Sequence, residues 1–285
     1  MATDSDPDLQ QRITRHLRNW SVEVEYTSET ETSVLLFGRR AETPVVLKVV
    51  REPGDEWHSG EVLAAFGGRG VARVYECTEG AVLLERLSPG IPLAQLALAG
   101  RDDEATDILA EVIAAMSPES PRPGTASVLD WAAGFERYAA GTDARIPRDL
   151  LAEAQRVYLE LSGSQAHIRL LHGDLQHYNV LCDARRGWLA IDPKGVVGEL
   201  EFELGALLRN PVDRPDWLAQ AAVVDRRLTR LTAKLRIDRR RALRWGFAQG
   251  VLAAVWAVED GFPLDARNPG LSLARTIRPM LDRLD

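Results

Sequence analysis

Asp174, Asn179 and Asp192 lie within nineteen positions of one another, and their types make a set. One carboxylate can orient a hydroxyl for attack. An amide oxygen and a second carboxylate can hold a divalent metal on a nucleoside triphosphate, and together the three supply what phosphoryl transfer asks of a protein. The stretch that carries them, residues 172–194, reads His-Gly-Asp-Leu-Gln-His-Tyr-Asn-Val-Leu-Cys-Asp-Ala-Arg-Arg-Gly-Trp-Leu-Ala-Ile-Asp-Pro-Lys. Its apolar runs at 179–182 and 188–191, separated by a Gly-containing turn at 183–187, predict a hairpin that would draw the three side chains together.

A second position stands out upstream. Lys48 sits inside Pro-Val-Val-Leu-Lys-Val-Val, residues 44–50, which reads as a strand with Val46, Lys48 and Val50 on one face and Val45, Leu47 and Val49 on the other. A lysine in so apolar a run is costly to bury without a partner. It is either an edge residue reaching water or a cation with a task.

The elements that must position these groups change character along the chain. Residues 8–20 predict an amphipathic helix with Leu9, Ile13, Leu17 and Trp20 on one face. Strands follow at 22–26, 34–37, 44–50, 71–77 and 81–87, with a polar turn over 27–33 and a helix around Glu61. Ser88-Pro89-Gly90 reads as a hinge. From Leu93 onward the apolar period is helical, with helices predicted over 102–116, 128–140, 147–162 and 243–259 and a proline-rich loop at 117–124. Lys194–Gly198 is expected to be a flexible loop, and the basic run 226–244 a solvated helical face.

Residues 172–194 resemble the catalytic segment of the aminoglycoside phosphotransferases, small-molecule kinases built on the protein-kinase fold. Protein kinases carry His-Arg-Asp, an Asn five residues after that Asp, and Asp-Phe-Gly. Here Gly173 replaces the arginine and Pro193-Lys194 follow Asp192, departures that favour the antibiotic and metabolite kinases. Leu204–Pro211, with Glu199, Glu201 and Glu203 before it, resembles the streptomycin phosphotransferase branch, which also includes hydroxyurea-resistance kinases.

The resemblance implies an α+β, bilobal protein-kinase-like fold. Residues 1–87 would form a nucleotide-binding lobe, an antiparallel sheet with one main helix. Residues 88–285 would form a larger, mostly helical lobe carrying the catalytic hairpin and the substrate site. It implies that Asp174 orients the acceptor hydroxyl, that Asn179 and Asp192 hold Mg²⁺, and that Lys48 neutralises phosphate charge. Glu61 is the first choice to align that lysine and Glu56 the second. ATP or GTP would be the donor, its base bound by main-chain atoms around Glu85, Arg86 and Leu87. The loop at 27–33 lacks the glycines of protein kinases, so hydroxyl and main-chain donors are expected to serve there, with Glu29 and Glu31 facing solvent. His172 is expected to brace the loop, and His177 to lie at the surface or behind the reacting groups. Glu199, Glu201 and Glu203 either complement a helix dipole or wall a site for a cation, and Glu203 is also a candidate brace. Trp256, Glu259 and Asp260 are expected to border the substrate pocket.

Composition sets the outer limits. A net charge of −7 argues against nucleic acid as main partner and suits a cationic small molecule. No apolar run is long enough to span a bilayer. The acidic, polar N-terminus does not read as a secretory signal, and Cys77 and Cys182 are expected as buried free thiols, which together point to the cytoplasm. Monomer and dimer are not distinguished.

Overall fold

The protein is described by a computed structural model over residues 7–116, 124–218, 220–262, 264–265 and 267–283. The elements run α1 (Pro7–Asn19), β1 (Glu23–Glu29), β2 (Ser33–Arg40), β3 (Thr43–Val50), α2 (Ser59–Ala65), β4 (Val74–Thr78), β5 (Ala81–Glu85), β6 (Pro89–Pro92), α3 (Ala94–Leu98), α4 (Asp102–Ala115), α5 (Val128–Trp131) and α6 (Ala133–Ala140). They continue with α7 (Arg148–Gly163), β7 (Arg169–Leu171), β8 (Val180–Asp183), β9 (Gly187–Ala190), β10 (Val196–Gly198), α8 (Leu200–Leu208), α9 (Pro215–Leu218), α10 (Ala221–Leu235), α11 (Arg239–Glu259) and α12 (Pro269–Leu281). They form two compact units. Of the described residues, one unit holds those up to Ile91 together with Leu181–Lys194, and the other is built chiefly from Pro92–Ala114, 124–180 and those from Gly195 onward.

In the first unit, a five-stranded antiparallel sheet runs in the order β1-β2-β3-β5-β4. Its core forms where the period-2 side of β3 meets the period-3.6 side of α1. Val45, Leu47 and Val49 are buried with Leu9 and Ile13 of the helix and with Leu36 and Leu83 of the neighbouring strands. Each such side chain contributes about 1.5–3 kcal/mol by leaving water, so the alternation in 44–50 fixes which face Lys48 must take. A smaller sheet in the order β6-β8-β9 completes the unit.

The second unit is helical around α11, whose Trp245, Phe247, Val251, Leu252 and Val255 are buried. Its rings form an edge-to-face cluster: Trp245 lies 5.0 Å from both Tyr158 and Phe202. Helices α11 and α12 touch at two glycines, where a Cβ on Gly270 would stand 2.3 Å from the carbonyl oxygen of Gly250.

Several sequence expectations change. The turn at 27–33 shrinks because β1 runs to Glu29 and β2 starts at Ser33. The expected hinge at 88–90 enters strand β6. The helix expected over 128–140 is interrupted at Ala132 into α5 and α6. The loop expected at 194–198 contains β10, because Val196 and Val197 pair with Leu171 and Leu170 of β7. Of the loop expected at 117–124, residues 117–123 lie outside the described residues. Cys77 is exposed and Cys182 half-buried, neither in a disulfide; the exposure arises because β4 is an edge strand and β8 belongs to a small sheet.

The basic run is only in part a solvated face: Lys234, Arg236 and Arg240 are exposed, but ion pairs take up several of its cations. Arg227, 1% exposed, is bound to Asp102 at 2.6 Å, while Arg230 meets Asp107 at 2.5 Å and Lys234 meets Glu111 at 2.7 Å. The cationic side of α10 therefore lies along the acidic side of α4.

Candidate active site

The first unit contains a cleft of about 550 Å³ whose apolar wall includes Leu35, Val46, Leu63, Val82, Leu84 and Ile191, with Lys48 and Asp192 among its polar groups. Lys48 reaches the cleft because its strand neighbours Leu47 and Val49 face the core. Its ammonium is 2.7 Å from Glu56 and forms a short ion pair with Asp192. Burial disfavours the charged lysine. The charges of Asp192 and Glu56 and their hydrogen bonds outweigh that, and the pKa is held above its ordinary value. Glu56, the second choice from the sequence, thus occupies the pairing position. Glu61 falls in the first turn of α2 and meets His58 at 3.2 Å. The difference arises because the chain enters α2 through a turn that carries Glu56 beneath β3. Glu56 also accepts from Thr32 at 3.1 Å, joining the β1–β2 turn to the lysine.

Asp192 adopts left-handed backbone geometry, φ +61°. Aspartate tolerates this better than most residues, yet it is a strained position of the kind that gathers at working sites. Thr30, Thr32 and Ser33 line the cleft as hydroxyl donors. Glu29 and Glu31 are exposed, as expected, with Glu29 on Arg51 at 2.5 Å.

At the other end of the cleft, Glu85, Arg86 and Leu87 form the wall. The side chain of Glu85 accepts from the Arg73 N–H at 2.7 Å and is paired with Arg186. The main-chain N–H groups of Glu85, Arg86 and Ser88 donate to Arg73, Pro44 and Asp183 respectively. Sequence reasoning missed an aromatic face here. Tyr26 stacks on Phe37 at 4.5 Å, and Arg86 lies over both rings. A register slip between Val24 and Tyr26 sets those two rings opposite each other, and such a bulge leaves no motif to read.

In the second unit, Asp174 opens a loop that ends in a single 3₁₀ turn at His177–Asn179. Glu203, 2% exposed, holds this loop by accepting from the N–H groups of His172 at 2.7 Å and Gly173 at 3.0 Å. Burial pushes its pKa up to about 7 against the pull of those hydrogen bonds. Asn179 Nδ2 donates to Asp174 Oδ2 at 3.2 Å and to its carbonyl at 2.9 Å. Arg209 faces Asp174 Oδ1 at 3.8 Å. The Asp174 carboxylate is thereby set between an amide and a guanidinium, with 29% of the side chain open. His172 braces as expected, its Nδ1 accepting from the Asp174 N–H at 3.3 Å. His177 is fully buried rather than at the surface, 3.5 Å from Arg227, and burial followed by that charge drives its pKa far down.

The acids of the expected cation wall are largely engaged inside the fold. Glu199, 3% exposed, is bound by Arg241 and by the Trp245 indole, and Glu203 holds the loop. Glu201 accepts from the Asp238 N–H at 3.2 Å. Trp256 lies edge-on to Trp131 at 5.4 Å, Glu259 pairs with Arg137 at 2.8 Å, and exposed Asp260 ends α11. Arg209 and Glu199's two partners were not found in the sequence, although the Leu-Leu-Arg-Asn-Pro motif held the first of them.

For a metal, the oxygen donors suit a hard cation. With Asn179 Nδ2 turned to Asp174, its carbonyl oxygen is the group left to bind, and Asp192 is 33% open. Among the described residues no cluster of three or more His, Cys, Asp or Glu could enclose an ion. Oxygen donors are the kind that Mg²⁺ takes, one or two at a time, with phosphate and water completing its shell.

The sequence matches, over residues 19–261, the family described as aminoglycoside/hydroxyurea antibiotic resistance kinase. The chain belongs to that family. It is 37% identical over 238 residues to streptomycin 3''-kinase of Klebsiella pneumoniae, an alignment covering 81% of this chain and 86% of that protein. To hydroxyurea phosphotransferase of Kitasatospora aureofaciens it is 35% identical over 244 residues, 77% of this chain and 67% of the other. A thermostable mutant of aminoglycoside phosphotransferase APH(4)-Ia, solved with ADP and hygromycin B, superimposes with a TM-score of 0.64 at 14% identity, covering 94% of this chain and 97% of that one. That likeness establishes the bilobal protein-kinase-like fold. The chain is accordingly a phosphotransferase with an alcohol group as acceptor. No helix among its described residues is long and apolar enough to cross a membrane.

Proposed function

We propose that this kinase moves the γ-phosphoryl group of ATP onto a hydroxyl of an aminoglycoside, with streptomycin as the leading acceptor. The observation that carries the reading is the Asp174 carboxylate, held between Asn179 and Arg209 on a loop pinned by buried Glu203. Asp174 orients the acceptor hydroxyl and takes its proton as the oxygen attacks the γ-phosphorus and the bond to ADP breaks. Residues 1–87 serve as the nucleotide lobe and 88–285 as the catalytic and acceptor lobe. Lys48, aligned by Glu56, neutralises phosphate charge. Main-chain atoms at Glu85 and Leu87 receive the base. Asn179 and Asp192 would hold Mg²⁺, which when bound draws charge from the phosphates. Positioning and fixed charge supply most of the acceleration, because phosphoryl transfer leaves little covalent work to the protein. Trp256, Glu259 and Asp260 border the acceptor site, whose cationic groups suit the carboxylate of exposed Asp260. The enzyme acts in the cytoplasm, where ATP is.

The likeness to a hydroxyurea phosphotransferase supports hydroxyurea, or another small metabolite, as the second acceptor to consider. Purified protein with Mg-ATP and each compound, followed by mass spectrometry, separates the two. Streptomycin is expected to gain one phosphoryl group. Phosphorylation of hydroxyurea alone would establish the second reading, and an unmodified streptomycin would end the first.

A further inference from the structure

Lys48, Lys194 and Lys234 are the chain's three lysines, set against 32 arginines. A lysine ammonium is a compact point charge with three rotatable donors, where a guanidinium is a planar fork. Two of the three meet at one turn. Lys48 Nζ lies 2.7 Å from Glu56, and Lys194 Nζ lies 3.3 Å from the adjacent Asp55. With Asp192, this cluster holds three carboxylates against two ammoniums, a balance that repels a triphosphate until cationic charge is brought in or released.

Lys48 has little freedom, since it is buried between Glu56 and Asp192. The Lys194–Asp55 pair is different, with side chains 35% and 78% exposed. Exposed pairs of this kind are weak and exchange readily. Asp192 and Pro193 line the cleft together with Lys48, and Lys194 is the next residue in the chain.

We propose that Lys194 leaves Asp55 for the terminal phosphate of the bound nucleotide, acting as a second phosphate-binding lysine that senses the γ group. This rests on the reading of the Lys48–Asp192 cleft as the nucleotide site. No bond forms or breaks in the exchange: one ammonium trades a carboxylate for a phosphate oxygen.

Calorimetric titration of the full chain with Mg²⁺ and either AMP-PNP or ADP tests it. Lys194→Met should weaken AMP-PNP about tenfold, as loss of a charge-assisted contact does, and change ADP by less than about twofold. Lys194→Arg should recover part of the loss, and Lys234→Met, on α10 of the second unit and paired there with Glu111, should alter neither. A Lys194→Met protein that binds both nucleotides like wild type, or loses both equally, overturns the inference while leaving the nucleotide site standing. A wild-type protein that binds neither nucleotide overturns the site reading and this inference with it.

Discussion

Glu203 links the chemistry of one residue to the shape of a loop. Its carboxyl lies under residues 172–173 and accepts their N–H groups, and burial lifts its pKa from an ordinary 4.5 to about 7. The folded state therefore binds this proton more tightly than the unfolded state. Its contribution to stability is complete below about pH 4.5 and is lost as pH rises through about 7, a change on the order of 3 kcal/mol. Urea unfolding at pH 5 and pH 8 should show that slope in wild type and a flatter one in Glu203→Gln. Equal slopes would contradict the assignment. At this scale, part of the site was open to sequence reasoning. The alternation in 44–50 predicts that Lys48 turns away from Val45, Leu47 and Val49, and it does. The choice between Glu56 and Glu61 depends on how the chain turns before α2, which local pattern does not encode. Glu199 reads from sequence as a dipole-complementing acid or part of a cation wall, because Arg241 and Trp245, which enclose it, come from another helix.

At the level of elements, α4 and α10 are held by charge as much as by apolar contact. Asp102 receives Arg227 at 2.6 Å and Arg226 at 3.0 Å, and Arg227 also donates to the carbonyl oxygens of Leu207 and Asn210. Removing the acid leaves a buried guanidinium without its counter-charge. Asp102→Ala should lower stability by about 3–5 kcal/mol, measured by chemical denaturation. A loss below about 1 kcal/mol would mean that Arg227 finds water or another acceptor. Both helices were legible as amphipathic periods, and the residues 180–191 hairpin was legible from its turn. The pairing of a basic helix with an acidic one more than a hundred residues away was not, because each charge run alone reads as a wetted face. Strand β10 was hidden for a similar reason: two valines between two glycines look like a loop until β7 is beside them.

For the molecule as a whole, 14% identity with a TM-score of 0.64 shows that the fold survives the replacement of most residues. What persists is the order of strands and helices and the spacing of apolar positions, so fold alone does not choose an acceptor. The net charge of −7 suits a cationic acceptor, but an activity claim has to rest on Asp174. The direct measurement is single-turnover transfer from γ-labelled ATP to streptomycin by wild type and Asp174→Ala, with ADP affinity followed in both. Transfer should fall by at least about a hundredfold while ADP binding stays within about twofold of wild type. Undiminished transfer by Asp174→Ala would contradict the account.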